Sequence, residues 1–308
     1  MTIHTLSDAV ERYELSSCII HSRGSLIYHG ERVPYASSQL MPINSCTKSV
    51  LSALICIAME QGRIPPPDTP ITQFFPQLIA DPDERKQRIT LEHLLTLSPG
   101  FRWTEFGGSN SFPKMSRSAD WVAYTLQQPM SDEPGAKMIY NSGASQLLAA
   151  ILAQSISTSI AAFAEQQLFG PLGIAQYKWK QDPQGIHTGG FGLELTADDM
   201  LKFGLLFLHE GEHAGIQLVS EALTARATAP AIAATPPERG WYGWHWWCDR
   251  VLNLPYYYAR GFGGQFIFIA PELELVVVMT REQQKRGSSP LDLFRDHIIP
   301  LLLDQTTT

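Results

Sequence analysis

The feature that most limits what this chain can become is an almost unbroken apolar run, Val50-Leu51-Ser52-Ala53-Leu54-Ile55-Cys56-Ile57-Ala58-Met59, opened by Ser45-Cys46-Thr47-Lys48. A surface helix shows one apolar stripe, whereas a run apolar on every side is a helix enclosed by the rest of the protein. Pro42 and Asn44 mark its start, since a preset φ and a capping amide both suit a first turn, and Gly62 supplies its stop. Residues three apart share a helix face, so the Ser45 hydroxyl and the Lys48 amine can meet. A hydroxyl attacks a carbonyl well only when a neighbour takes its proton. Lys48 can be that neighbour if burial drives its pKa toward working pH, and this helix supplies the burial. The helix N-terminus adds free N–H groups and a positive dipole end at Ser45, which suits a developing oxyanion.

Ser-x-x-Lys recurs at Ser111-Phe112-Pro113-Lys114. There Pro113 and the surrounding Gly and Ser residues predict a loop, with no shared face for the two side chains.

At 308 residues, 44% hydrophobic and 17% charged, the chain has material for one large domain or two subdomains. A net charge of -7 with no run of Lys or Arg argues against nucleic acid as a partner. Met1 to Leu15 carries Asp8, Glu11 and Glu14 on an amphipathic pattern, without the basic and apolar regions of a signal peptide. No apolar stretch approaches a membrane span. The expectation is a cytoplasmic protein without membrane attachment. Cys18, Cys46, Cys56 and Cys248 show neither metal-like nor redox-like spacing and read as buried free thiols.

Ser17 to His21 and Ser25 to His29, parted by Arg23-Gly24, predict a β-hairpin. Arg63 to Pro70, with four prolines, is a stiff connector. Helices follow at Thr90–Leu97, Ala119–Gln127, Ser142–Ser155 and Ser159–Leu168. Thr196, with Asp199 three residues on, caps a helix over Met200–Leu208. Strands are expected at Trp244–Cys248, Tyr256–Arg260, Gln265–Ala270 and Glu274–Thr280, then a last helix from about Ser289 to Leu303. The economical fold is α/β of the α+β kind: one antiparallel sheet assembled from both chain ends, flanked by helices, with an inserted helical subdomain. The expected division is 1–62 with 185–308 for the sheet part and 63–184 for the helical part, with the active site at their interface.

Taken in order, these residues resemble the serine β-lactamase and penicillin-binding-protein superfamily, in particular its class C-like branch of esterases, D-aminopeptidases and nylon-oligomer hydrolases. The likeness runs from about Ile19 to Thr280. Ser45-Cys46-Thr47-Lys48 matches the first family motif. The second, Tyr-x-Asn, is similar to Tyr140-Asn141-Ser142, with Ser142 at the third place and asparagine one place early. The third, Lys-Thr-Gly or His-x-Gly, is replaced by Arg260-Gly261-Phe262-Gly263-Gly264-Gln265. His93-Leu94-Leu95-Thr96-Leu97-Ser98-Pro99-Gly100 and Gly190-Phe191-Gly192-Leu193 carry the same likeness.

The resemblance implies acyl transfer through an acyl-serine intermediate. Ser45 is then the nucleophile, and Lys48 and Tyr140 share the general-base work as one coupled pair. The oxyanion would lie between the Ser45 N–H and a backbone N–H near Gly264 or Gln265. Asn141, Ser142, Arg260, Phe262 and Trp103 are the remaining candidates for holding substrate. No metal or organic cofactor is required. Phe262, standing where a Lys or His is usual, argues against penicillin-like substrates.

Rival readings start from other residues. His209-Glu210-Gly211-Glu212-His213 is a literal zinc-peptidase pattern, but it needs a helix running through both histidines, and Gly211 interrupts it. Trp241-Tyr242-Gly243-Trp244-His245-Trp246-Trp247 alternates as a strand, with one or two rings available to an acyl pocket alongside Trp103, Phe106 and Tyr256. His187 lies near the glycine-rich strip. The changes at Ser142 and Phe262 also suit a silent relative that binds a ligand without turning it over. The reading that accounts for most of the chain is a serine hydrolase of small esters or amides, with β-lactam or D-amino-acid peptide hydrolysis as the alternative. The oligomeric state has no sequence signal.

Overall fold

A computed structural model of the protein describes residues 3–107, 111–282 and 288–306. Its organising element is an antiparallel sheet of eight strands. β1 (Ser17–Ser22) and β2 (Ser25–Glu31) form the N-terminal hairpin, turned by Arg23 at φ 51° and Gly24 at φ 72°. Two left-handed residues in a row give a turn whose twist matches the flanking strands. The other strands come from the far end of the chain: β3 (Ile232–Ala233), β4 (Trp241–Tyr242), β5 (Trp247–Val251), β6 (Leu254–Gly261), β7 (Gln265–Ala270) and β8 (Leu275–Thr280). Their order across the sheet is β2-β1-β8-β7-β6-β5-β4-β3. β1 and β8 join the two chain ends in the register Ile19↔Val278. Every residue of β7 and β8 is buried, because helices cover both faces; continuous apolar sequence replaces alternation there.

Four helices matter for the site: α1 (Ile3–Arg12), α2 (Thr47–Glu60), α3 (Ser142–Ser155) and α4 (Ala197–Leu208). α4 packs on β7 and β8, and α2 packs against α3. α2 is the enclosed helix that the sequence predicts, buried at every position from Thr47 to Ala58, and Gly62 follows it at φ 68°.

Several local expectations are corrected. Asn44 does not cap α2. It sits at φ 49° and opens a single 3₁₀ turn, Asn44–Cys46, while its amide donates to the Phe262 carbonyl at 2.7 Å. The turn thereby ties the nucleophile's segment to the end of β6. Trp244 to Trp246 is not strand, because His245 at φ 60° breaks the extended run and β5 begins only at Trp247. Ser111–Met115 is a short helix and not a loop, Pro113 falling within a first turn that asks little of its missing N–H. Even so, Lys114 is exposed while Ser111 is buried, so this copy of the motif has no enclosed amine. Thr196 caps α4 as expected, accepting from the Asp199 N–H at 3.0 Å. Asp199 pairs with Lys202 at 2.8 Å, outside any reciprocal box.

Candidate active site

Ser45 stands in the 3₁₀ turn immediately before α2, at the floor of a cavity of about 420 Å³. Lys48, one turn on, is 1% exposed. Its Nζ lies 3.5 Å from Ser45 Oγ, 3.0 Å from Ser142 Oγ and 2.9 Å from the Gly190 carbonyl oxygen. The Tyr140 ring faces the same nitrogen, 4.7 Å from centroid to Nζ. Burial pushes the Lys48 ammonium down to about 8, against an opposing pull from Glu105 and Cys46. Tyr140 moves the other way. Burial, and then the charge of Glu105, raise its phenol well above the usual range, while a hydrogen bond with Ser45 and the charge of Arg260 pull it back. The pair therefore rests near neutrality as an amine poised to titrate beside a phenol that keeps its proton.

The structure brings some of the expected residues together and separates others. Ser45, Lys48, Tyr140 and Ser142 converge on one point. Trp103, Arg260 and Phe262 line the cavity with Ser45, as do Phe106 and Ile139. Asn141 does not reach it. Its side chain caps α3, accepting from the Ala144 N–H at 3.0 Å, and the residue is 1% exposed. A capping position turns the side chain onto its own helix, so Ser142, the next residue, meets Lys48 instead. Gly264 and Gln265 are not among the residues that line the cavity. The Gly264 N–H donates to the Gly261 carbonyl at 3.3 Å, and the side-chain amide of Gln265 donates to the Arg281 carbonyl at 2.6 Å. Arg260 is not a free cation, since its guanidinium holds Glu238 at 2.7 Å.

The aromatic segment divides likewise. Trp247 stacks on Tyr140 with centroids 5.9 Å apart and planes at 15°, whereas Trp244 and Trp246 are fully buried in the core. Tyr256 stacks elsewhere, on Tyr258 and against Phe294, and lines a second cavity that holds no Ser–Lys pair. His187 contacts Gln181 at 3.4 Å and the edge of Trp179, away from the pocket lining. His209 and His213 do not form a helical pair: α4 ends at Leu208, Glu210 and Gly211 take positive φ, and His213 lies on a short strand. Among the described residues no group of three or more His, Cys, Asp or Glu could hold a metal ion.

Two contributors are missing from the sequence reading. Glu105, 8% exposed, accepts from Trp103 Nε1 at 2.7 Å and from the Ser142 N–H at 3.0 Å, and its other oxygen takes the Ser142 hydroxyl. The Gly190 carbonyl anchors Lys48, and a Cβ at Gly190 would stand 3.1 Å from Nζ. The one local hint is an acid two residues after a tryptophan, amid the aromatics Trp103 and Phe106.

An antiparallel sheet with an enclosed helix that carries lysine beside a serine at the cleft defines the class of β-lactamase-fold serine hydrolases. The chain belongs to the Beta-lactamase family, whose model matches residues 5–297. Solved structures agree on the fold. A protein named for 6-aminohexanoate-dimer hydrolysis from Bacillus anthracis superposes with a TM-score of 0.84 at 19% identity, covering 98% of this chain and 82% of that one. The octameric penicillin-binding protein homologue from Pyrococcus abyssi gives 0.79 at 19% identity, covering 98% and 76%. EstCE1, a hydrolase with promiscuous acyltransferase activity, gives 0.76 at 16% identity over 96% of both chains. At these identities the likeness is one of fold. Protein Rv1367c of Mycobacterium tuberculosis is 23% identical over 274 residues, covering 72% of this chain and 67% of its own length.

Proposed function

We propose that the protein hydrolyses small esters or amides through an acyl-serine on Ser45. The observation that carries this reading is the enclosed Lys48 amine, 3.5 Å from Ser45 Oγ at the floor of an open cleft, with its pKa pushed down to about 8. At pH 7 roughly one molecule in ten then holds the neutral amine. The Ser45 proton passes to the Lys48 lone pair as the Ser45 oxygen bonds to the substrate carbonyl carbon, whose π electrons move onto its oxygen. The Ser45 N–H at the helix start stabilises that oxyanion. Collapse of the intermediate expels the alcohol or amine, which takes a proton relayed through the Tyr140 hydroxyl. Water repeats the sequence on the acyl-serine.

The cleft favours an ester over a β-lactam. A β-lactam acid needs a cation for its carboxylate; of the two that line the cleft, Arg260 is already paired with Glu238 and Lys137 stands exposed. The walls are mainly aromatic and apolar, which suits an uncharged acyl group. Four buried free cysteines accord with a cytoplasmic setting, which belongs to the same proposal.

The test is nitrophenolate release from a p-nitrophenyl acyl ester by the wild type and by Ser45→Ala. Turnover by the wild type that is lost in the variant is the expected result. Inactivity of both toward the ester and a chromogenic β-lactam favours the silent relative. Equal activity of both removes Ser45 from the mechanism.

A further inference from the structure

Glu105 explains how the site aims its base, an inference that rests on the serine-hydrolase reading. Both of its oxygens are occupied by donors. One takes Trp103 Nε1 and the Ser142 N–H, and the other takes the Ser142 hydroxyl. A carboxylate has no proton to give, so the proton between Glu105 and Ser142 belongs to Ser142. Toward Lys48 the Ser142 oxygen therefore presents lone pairs alone, at 3.0 Å from Nζ. The Gly190 carbonyl, at 2.9 Å, is likewise an acceptor with nothing to donate. A neutral amine carries two N–H bonds and one lone pair. With both N–H bonds drawn to Ser142 and Gly190, the lone pair is left for Ser45.

We propose that Glu105 is a positioning residue: by holding the Ser142 proton it fixes Ser142 as an acceptor and turns the Lys48 lone pair onto the Ser45 hydroxyl. Glutamine at 105 would reverse this polarity. Its carbonyl oxygen would remain with the two N–H donors, placing its NH₂ against Ser142. The Ser142 hydroxyl would then turn its proton onto the Lys48 lone pair and occupy the base.

The charged state of the surroundings makes the effect readable. The titratable groups that bear on Lys48 are Glu105 from its loop, Cys46 from its own turn, Tyr140 before α3 and His245 before β5. Burial pushes the Cys46 thiol and the Tyr140 phenol up, and lowers His245 to about 3, so all three stay uncharged between pH 6 and 9 by these directions. The acidic limb in that window reports Lys48 under the influence of Glu105.

The experiment compares kcat, KM, their pH dependence and the melting temperature for wild type, Glu105→Gln, Glu105→Asp, Ser142→Ala and the Glu105→Gln/Ser142→Ala pair on a p-nitrophenyl ester. Glu105→Gln is expected to lower kcat roughly ten- to a hundredfold with KM nearly unchanged, within the span of general-base effects. Its acidic limb moves to lower pH, because the anion that stabilised the ammonium is gone. Glu105→Asp keeps the limb near its wild-type position and recovers part of kcat. The double variant is no slower than Ser142→Ala, since Glu105 acts through Ser142.

Wild-type kcat and limb in Glu105→Gln overturn the proposal, as do additive losses in the double variant. If Glu105→Gln does not fold, the Asp and Ser142→Ala profiles carry the same comparison. If the wild type turns over no ester, it is the hydrolase reading that fails. The Lys48 midpoint, followed by NMR of ¹³Cε-labelled lysine, then decides the Glu105 coupling: a lower midpoint in Glu105→Gln supports it and an unchanged one overturns it.

Discussion

Lys48 has no carboxylate in direct contact, and that sets its chemistry. Its partners are two hydroxyls, a carbonyl and an aromatic face, all of which leave the cost of burying an ammonium largely uncompensated. The folded-state pKa of about 8 lies below the unfolded value of 10.5. Between those values the unfolded chain binds more protons, so the contribution of Lys48 to stability rises with pH across that interval and is weakest below about 8. Activity has the same direction: kcat/KM for an uncharged ester should climb with pH and level off above about pH 8. A profile already flat from pH 6 upward would mean that the base is not this amine. Lys48→Arg keeps the charge but removes the neutral form, and should lower kcat by about a thousandfold, measured as nitrophenolate release.

At the scale of elements, the site depends on backbones that come closer than a side chain permits. The end of β6 meets the turn that carries Ser45 so tightly that a Cβ on Gly261 would lie 2.2 Å from the Ile43 carbonyl oxygen. Main chain on both sides leaves nothing to swing away, and neither element can shift without moving Ser45 or Phe262. Gly261→Ala should therefore lose stability, by about 2 kcal/mol as for other overpacked cores, together with activity. Gly190→Ala offers a contrast. Its nearest neighbours are Ser142 Cβ at 3.0 Å and the polar ends of Lys48 and Ser142 at 3.1 Å; the two ends can yield, and the Cβ needs a shift of only a few tenths of an ångström. Thermal melts should show little change in that variant while kcat falls, because the atom that yields is the base. Parallel losses in both variants would contradict the distinction.

For the whole molecule, the cleft lies where the two ends of the chain and its middle meet. Ser45 comes from the segment after the hairpin, Trp103 and Tyr140 from the middle, and Arg260 and Phe262 from the C-terminal strands. At its mouth Phe106 and Phe262 stand half exposed or more, with ring centroids 6.3 Å apart. Two rings at that separation form an apolar grip for a chain or ring passing between them. In a series of p-nitrophenyl esters from acetate to longer and aromatic acyl groups, Phe106→Ala should raise KM for the larger members by about tenfold. That factor corresponds to part of one buried aromatic side chain. The acetate should be nearly unaffected. Equal effects across the series would remove Phe106 from the acyl path.

Local order in the chain was enough to determine the helix, the nucleophile candidate and the hairpin. A wholly apolar run needs enclosure, serine and lysine three apart share a face, and Arg23-Gly24 can make a tight turn without reference to anything distant. The longer strands of the C-terminal half were legible for the same reason, but the two-residue edge strand Ile232–Ala233 was not, and His245 broke the pattern with a backbone angle that composition does not announce. The partners of the reacting atoms were another matter. Glu105 meets Ser142 across 37 positions, Lys48 meets Gly190 across 142, and Arg260 is neutralised by Glu238 from a loop 22 positions away. α3 starts at Ser142 as expected, but its capping position takes the Asn141 side chain onto the Ala144 N–H and leaves Ser142 to meet Lys48. Such contacts follow from how whole elements pack, and a buried polar atom takes whichever partner that packing delivers. The sequence by itself determined which groups could react; the tertiary structure decided which of them are buried, paired and aimed.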